Sequence, residues 1–398
     1  MAISNWIAPS VIAYTGPKFG MVLGGIPYCL FMAVFFRPYL GTLYASSILL
    51  GIGAAVLWTS QGVFLTINSS DQTMSRNAGM FWAILQLSNL WGNIFATVEL
   101  SGQKSIDSAL RTRLFVGLLC AAILGVLLFL VLRYPGKRDR GRTATSRSTS
   151  TKVRCLHCTT KWREWVWLRE IRQSFRLLMT LKMLLLAITF AYTGFMLTFW
   201  SGVFGTSIHF TKVLGDERNY LLGLSGVVIG LGEITSGALF GFLGSTIKRR
   251  GRSSIAVLGV VLQLISYLLI FLFFPFDSPS HETDLATYVA PNKDVALICS
   301  FLLGFGDAAI NVQIYALLGN TYSADSAPAF ALFKFVQSVT AAIAFFYATM
   351  TLPGQLVIVT ATGILGAASF CIVELLNHRE ETKGLEIQLQ SPKKSTNL

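Results

Sequence analysis

The feature that most constrains this chain is a series of long apolar runs without an ionised side chain. LFVGLLCAAILGVLLFLVL (114–132) and SSIAVLGVVLQLISYLLIFLFFPF (253–276) are the clearest. A run of roughly 20 apolar residues matches a helix crossing a hydrocarbon core about 30 Å thick. That core holds no water to satisfy backbone N–H and C=O groups, so such a run must be helical. A buried helix of a soluble protein explains one such run, but not a series. Runs bounded by Gly, Pro, Asn and charge predict membrane helices near 18–36, 40–66, 78–99, 113–133, 182–208, 221–246, 254–275, 295–318, 326–350 and 354–376. A shorter apolar piece, 1–14, lies ahead of Lys18. Only 13% of the residues are charged, against about 25% in an ordinary soluble domain. The expected fold class is an all-α polytopic membrane protein, integral and multi-pass, whose first partner is the lipid bilayer.

The net charge of +13 is concentrated in one place, because residues 134–181 hold twelve Lys/Arg against three Asp/Glu. Concentration in one inter-helix loop is the pattern of positive-inside topology and argues against nucleic acid as a partner. With 134–181 in the cytoplasm, Lys18, Arg76, Lys248, Arg249, Arg250, Arg252 and the tail with Arg379 and Lys383 fall on the same side. The acidic loop 277–293 falls outside. This divides the chain into an N-terminal helical bundle (1–133), a basic cytoplasmic loop (134–181), a C-terminal bundle of six helices (182–376) and a cytoplasmic tail (377–398). Within the loop, KWREWVWLREIRQSFRLL (161–178) repeats apolar residues at helical spacing with arginines largely elsewhere on the helix. It reads as an interfacial helix with its tryptophans at headgroup level and its arginines toward anionic lipid, either a bracket beneath the two bundles or a regulatory lipid sensor.

No cofactor or metal site is expected. Cys155 and Cys158 have CxxC spacing, but a zinc site needs a second ligand pair and none accompanies them. Nothing resembles a hydrolase triad or a phosphate-binding loop, so an enzyme is not expected.

The two halves are related. Leu49-Leu50-Gly51-Ile52-Gly53 returns as Leu302-Leu303-Gly304-Phe305-Gly306, and Gln61 has a counterpart in Gln313. Ala78, Trp82 and Gln86 return as Ala329, Phe333 and Gln337, with the offset drifting only from 253 to 251 residues. Parallel repeats of six helices are the build of major facilitator transporters. The loop Gly244-Ser-Thr-Ile-Lys248-Arg249-Arg250-Gly251-Arg252 resembles that superfamily's cytoplasmic signature, with Lys where an acidic residue is usual. GIGAAVLWTSQG (51–62), AYTGFMLTFWSGVFGT (191–206), GLSGVVIGLGEITSG (223–237) and SADSAPAFALFKFVQS (323–338) resemble the Unc-93-like branch. The resemblance implies the major facilitator fold of two six-helix bundles. On the repeat, helix 182–208 would have its partner before Met1, and the partner of 221–246 would start there too. The first bundle is therefore expected to lack its first helix and the opening turns of its second.

Polar residues inside a membrane are costly and mark function. Asp307 and Asn311, four apart, share a helix face, and Gln313 points about a third of a turn away. In the matching helix Trp58 and Gln61, three apart, share a face as well. The resemblance implies that helices of this rank line the central cavity, so that Trp58, Gln61, Asp307, Asn311 and Gln313 would face substrate. Glu233, mid-helix among glycines, either exchanges a coupling proton or pairs with a basic group such as Lys334. Lys334 in turn is a candidate partner for Asp307. Gly223, Gly226, Gly230, Gly232 and Gly237 on the Glu233 helix predict close approach of a neighbour.

Two functional readings follow. One is a solute carrier using alternating access, its substrate a small solute. The other is a non-transporting membrane protein that regulates or escorts a channel or receptor, which the Unc-93-like resemblance implies.

Overall fold

The computed structural model describes the chain except residues 101–106, 135–159, 216–217, 244–250 and 391–398. Gly244, Lys248, Arg249 and Arg250 of the basic signature, and Cys155 and Cys158, lie outside the described residues; Gly251 and Arg252 lie within them. The described secondary structure is helical. Two short pieces, α1 (Ala2–Asn5) and α2 (Ala8–Thr15), precede α3 (Pro17–Val34), α4 (Leu40–Ile67), α5 (Met74–Leu100) and α6 (Ser108–Val131). After α7 (Thr160–Leu178) come α8 (Leu181–Thr198), α9 (Phe204–Phe210), α10 (Arg218–Phe242), α11 (Arg252–Phe273), α12 (Lys293–Thr321), α13 (Ser326–Phe346) and α14 (Leu352–Gln390).

Local chemistry sets several helix starts. Asp107 accepts from the Leu110 amide at 2.7 Å to open α6, and Asn292 accepts from the Asp294 amide at 2.7 Å to open α12. Each side chain satisfies a donor that the first helical turn leaves free. α8 and α9 run on as one rod through a π turn, Phe199–Val203, so that 181–210 forms a single span.

Nine of the described helical spans are long and apolar enough to cross a membrane. α5 is long enough, but Gln86, Ser88, Asn89 and Asn93 keep it out of that set. The spans differ in burial: none of the α6 window is buried, against 67% of the α12 window. α6 therefore presents Leu124, Leu127 and Leu128 outward, where lipid solvates them, while α12 runs through the middle. The end of α14 departs from expectation. The helix expected to end at 376 continues to Gln390. Residues 377–383 are mostly strong helix formers, and Lys182 of α8 holds Asn377 at 2.9 Å and also reaches Glu380.

The two halves meet along two seams that the internal repeat exchanges. α5 packs along α10, while α1 and α2 pack on α13. The α5–α10 seam is closed by small residues. A Cβ built on Gly79 would lie 2.6 Å from the Gly237 carbonyl oxygen and 2.5 Å from the Gly241 Cα. On its other side α10 meets α12, where a Cβ on Gly304 would fall 2.1 Å from the Ile229 carbonyl oxygen. The stripe of glycines on α10 thus serves two neighbours. The second seam is aromatic: Trp6 stacks on Phe175 of α7 at 4.3 Å and meets Phe335 of α13 edge-on at 5.2 Å. α7 contacts α2 and α13 together, so it ties the halves at one end.

Candidate functional site

Between the halves lies a cavity of about 930 Å³. From the first half it is lined by Ile48, Ile52 and Trp58 of α4, by Trp82, Leu85, Gln86 and Ser88 of α5, and by residues 1–4. From the second half come Leu197 and Trp200, then Asp307 and Asn311 of α12, and Lys334, Gln337 and Ser338 of α13. The walls are largely apolar and aromatic, with few polar groups converging, the usual make-up of a small-molecule site.

Each polar group is placed by its helix. Asp307 and Asn311 are stacked one turn apart, and the Asn311 amide donates to Asp307 Oδ1 at 3.1 Å and to the Asp307 carbonyl at 3.0 Å. Lys334 is 5% exposed, enters from α13 and donates to Gln337 Oε1 at 2.9 Å. The Gln337 amide donates onward to Thr193 Oγ1 of α8 at 3.1 Å. The Lys334 ammonium sits 4.5 Å from the Phe333 ring centroid, 5.7 Å from that of Tyr315 and 5.1 Å from that of Trp58, which stands in the opposite half. Such cation–π contacts stabilise a desolvated ammonium by about 0.5–2 kcal/mol. Asp307 and Lys334 act on each other electrostatically, yet no ion pair joins them among the described residues. Both groups thus face the cavity separately.

The sequence expectations divide here. Trp58, Asp307, Asn311 and Lys334 line one cavity. Gln61 and Gln313 do not. Both are buried away from it, with Gln61 Oε1 and both polar atoms of Gln313 lacking a hydrogen-bond partner among the described residues. Helix geometry accounts for this: Gln61 is about 60° around α4 from Trp58, and Gln313 about 120° around α12 from Asp307. Glu233 is also off the cavity and fully buried, and neither carboxyl oxygen has a hydrogen-bond partner among the described residues. The expected pairing with Lys334 is not made, because α10 packs chiefly on α5 and α12 while Lys334 rides on α13 and bonds Gln337. Arg252 of the basic signature forms its ion pair with Glu374 of α14 at 3.2 Å, away from the cavity.

Sequence reasoning passed over several lining groups. Gln86 and Gln337, noted only as repeat partners, face the cavity from the two halves. Their equivalent positions in the repeat were the signal. Trp200 had none, since it owes its place to the π turn at 199–203. π turns of this kind interrupt α-helices frequently at functional sites. The indole nitrogen of Trp82 has no hydrogen-bond partner among the described residues, whereas the Trp200 side chain acts on Asp307.

Comparison with known proteins agrees with this architecture. The chain is 43% identical over 378 residues to the UNC93-like protein MFSD11 of Xenopus laevis, covering 93% of this chain and 84% of that one. Among solved structures it resembles the proton:xylose symporter XylE, with a TM-score of 0.63 and 14% identity over 92% of this chain and 83% of that one. It also resembles the human organic anion transporter MFSD10, with a TM-score of 0.57 and 13% identity over 94% and 81%. At such identities these structures establish the major facilitator fold and nothing finer. The family described as "Ion channel regulatory protein UNC-93" matches residues 1–372. With nearly the whole chain matched, this integral, multi-pass membrane protein belongs to the UNC-93 family.

Proposed function

We propose that the chain is a solute carrier of the major facilitator type, working by alternating access between its two halves. Its substrate is a small organic solute that carries a charged group on an apolar or aromatic body. The observation that carries this reading is the cavity itself, which holds Lys334 and Asp307 without an ion pair between them and is otherwise walled by tryptophans and aliphatic side chains. Opposite charges held apart in a low-dielectric site bind complementary groups far more strongly than they would in water. Gln86, Gln337 and Ser338 supply the remaining hydrogen-bonding groups, Gln61 and Gln313 stand behind them in the helix packing, and Glu233 lies beyond.

The test is counterflow in vesicles reconstituted with the protein, screening labelled organic anions, cations and zwitterions as three pools. One pool is expected to exchange, and Lys334→Gln lowers that exchange by at least about tenfold, the loss that follows removal of a buried hydrogen-bonded charge; Trp58→Ala lowers it by about threefold or more, through loss of the ring face offered to the ammonium. A second reading, a non-transporting partner of an ion channel or receptor, draws on the description of the family. Absence of exchange in all three pools, together with stoichiometric capture of one channel or receptor, would replace the carrier reading with that one.

A further inference from the structure

α7 carries a surface that the transport reading leaves unused. Arg169, Arg172 and Arg176 stand at i, i+3 and i+7, one stripe of the helix. They line a groove of about 670 Å³ with Gln173, Leu177 and Asp325. The charges in the groove are unequally matched. Arg169 is paired with Glu170 at 2.9 Å, and the Asp325 carboxylate accepts from the Gln173 amide. Arg172 and Arg176 form no ion pair or hydrogen bond among the described residues. Their α-carbons are separated by four residues, about 6 Å of rise, a span over which two guanidinium forks can converge on one phosphate.

The position of the helix decides what kind of anion reaches them. α7 ends at Leu178 and the membrane span opens at Leu181, so Arg176 stands within about two turns of the bilayer. Leu168, Phe175, Met179 and Leu181 are exposed on the same stretch, Leu168 by 69%. Apolar side chains that water would leave uncovered are interleaved with arginines that lack counter-ions, the combination that suits acyl chains below and headgroups above. This end of the molecule is also the strongly basic one, which the positive-inside pattern assigns to the cytoplasm, where the leaflet is anionic.

We propose that the groove along α7 is a binding site for an anionic phospholipid of the cytoplasmic leaflet, its phosphate gripped by Arg172 and Arg176 and its acyl chains laid against Leu168 and Phe175. Lipid held there buttresses the helix that touches both halves, since Phe175 carries the stack on Trp6 and Gln173 ties α7 to the turn before α13. The site is distinct from the central cavity and shares no lining residue with it.

The test uses the purified full chain in detergent and counts retained lipid by native mass spectrometry, with phosphatidylserine or phosphatidylcholine of the same acyl composition added at equal concentration. Wild type is expected to retain phosphatidylserine in preference, and R172Q/R176Q to lose it by roughly tenfold. R113Q, at the far end of the first half, keeps it. Should the double variant fail to fold, R176Q alone serves, with a loss of roughly threefold. Equal retention of the two lipids by the wild type, or undiminished phosphatidylserine in the double variant, overturns the proposal. So does displacement of the lipid by glycerol 3-phosphate at equal concentration, which would mark a site for a soluble phosphate.

Discussion

At the scale of single residues, the cavity is defined by two charges that neighbours hold in place. Lys334 is anchored by Gln337 and ringed by Phe333, Tyr315 and Trp58, and Asp307 is buttressed by Asn311. Because the two charges interact without contact, Asp307→Asn and Lys334→Gln are expected to be non-additive. The double variant should lose less stability than the sum of the single ones by roughly 1 kcal/mol. Thermal unfolding of the four proteins checks this, and strict additivity would show the charges to be independent. Trp58→Leu should cost about 1 kcal/mol beyond what Trp58→Phe costs, because Phe keeps a ring face for the ammonium; the same unfolding assay reads it. Much of this was legible beforehand, since a charge inside an apolar run announces itself, as Asp307 and Lys334 do. The sense of each side chain was less so. Gln61 and Gln313 have the right polarity on the right helices, yet a turn of about 60° or 120° takes them out of the cavity. Glu233 lost its expected partner for a related reason, because a string of letters does not say which helices touch.

At the scale of the element, the helix ends nearly all fall within four residues of where turn and charge signals put them, since caps such as Asn292 are local chemistry; α6 is an exception, opening five residues early at the Asp107 cap. What escaped prediction came from tertiary contact: the π turn at Phe199–Val203 and the continuation of α14 to Gln390. α5 offers a sharp internal comparison. Gly79→Ala would place a Cβ 2.5 Å from the Gly241 Cα, whereas Gly92→Ala meets nothing within 4 Å among the described residues. The first is expected to destabilise by about 1–3 kcal/mol through overpacking of the seam. The second should be neutral or stabilising by about 0.5–1 kcal/mol, because alanine replaces glycine in a helix. Unfolding temperatures of the two variants in one detergent decide it, and equal losses would mean that the seam is not close-packed.

At the scale of the whole molecule, two helical halves related by a repeat meet at one glycine seam and one aromatic seam, with the cavity between. The repeat was legible from residues as few as Gln86 and Gln337, but the seams were not, because the glycines of α10 give no hint of which neighbour each one serves. The topology is open to direct measurement. Single cysteines introduced at Thr143 and Thr287 should be labelled by a membrane-impermeant maleimide from opposite sides of the bilayer. Labelling of both from the same side would undo the arrangement. The lysine of α13 also bears on how the protein is made. The translocon tests segments for hydrophobicity as they emerge, and a Lys near the centre of a helix counts against entry by about 2.5–3.5 kcal/mol. α12, which emerges just before it, carries Asp307 and is joined to α13 by a turn of only a few residues. The two helices should therefore enter lipid as one hairpin, the opposite charges offsetting part of each other's cost: α13 by itself inserts poorly into microsomes, and the α12–α13 pair, or α13 with Lys334→Leu, inserts well.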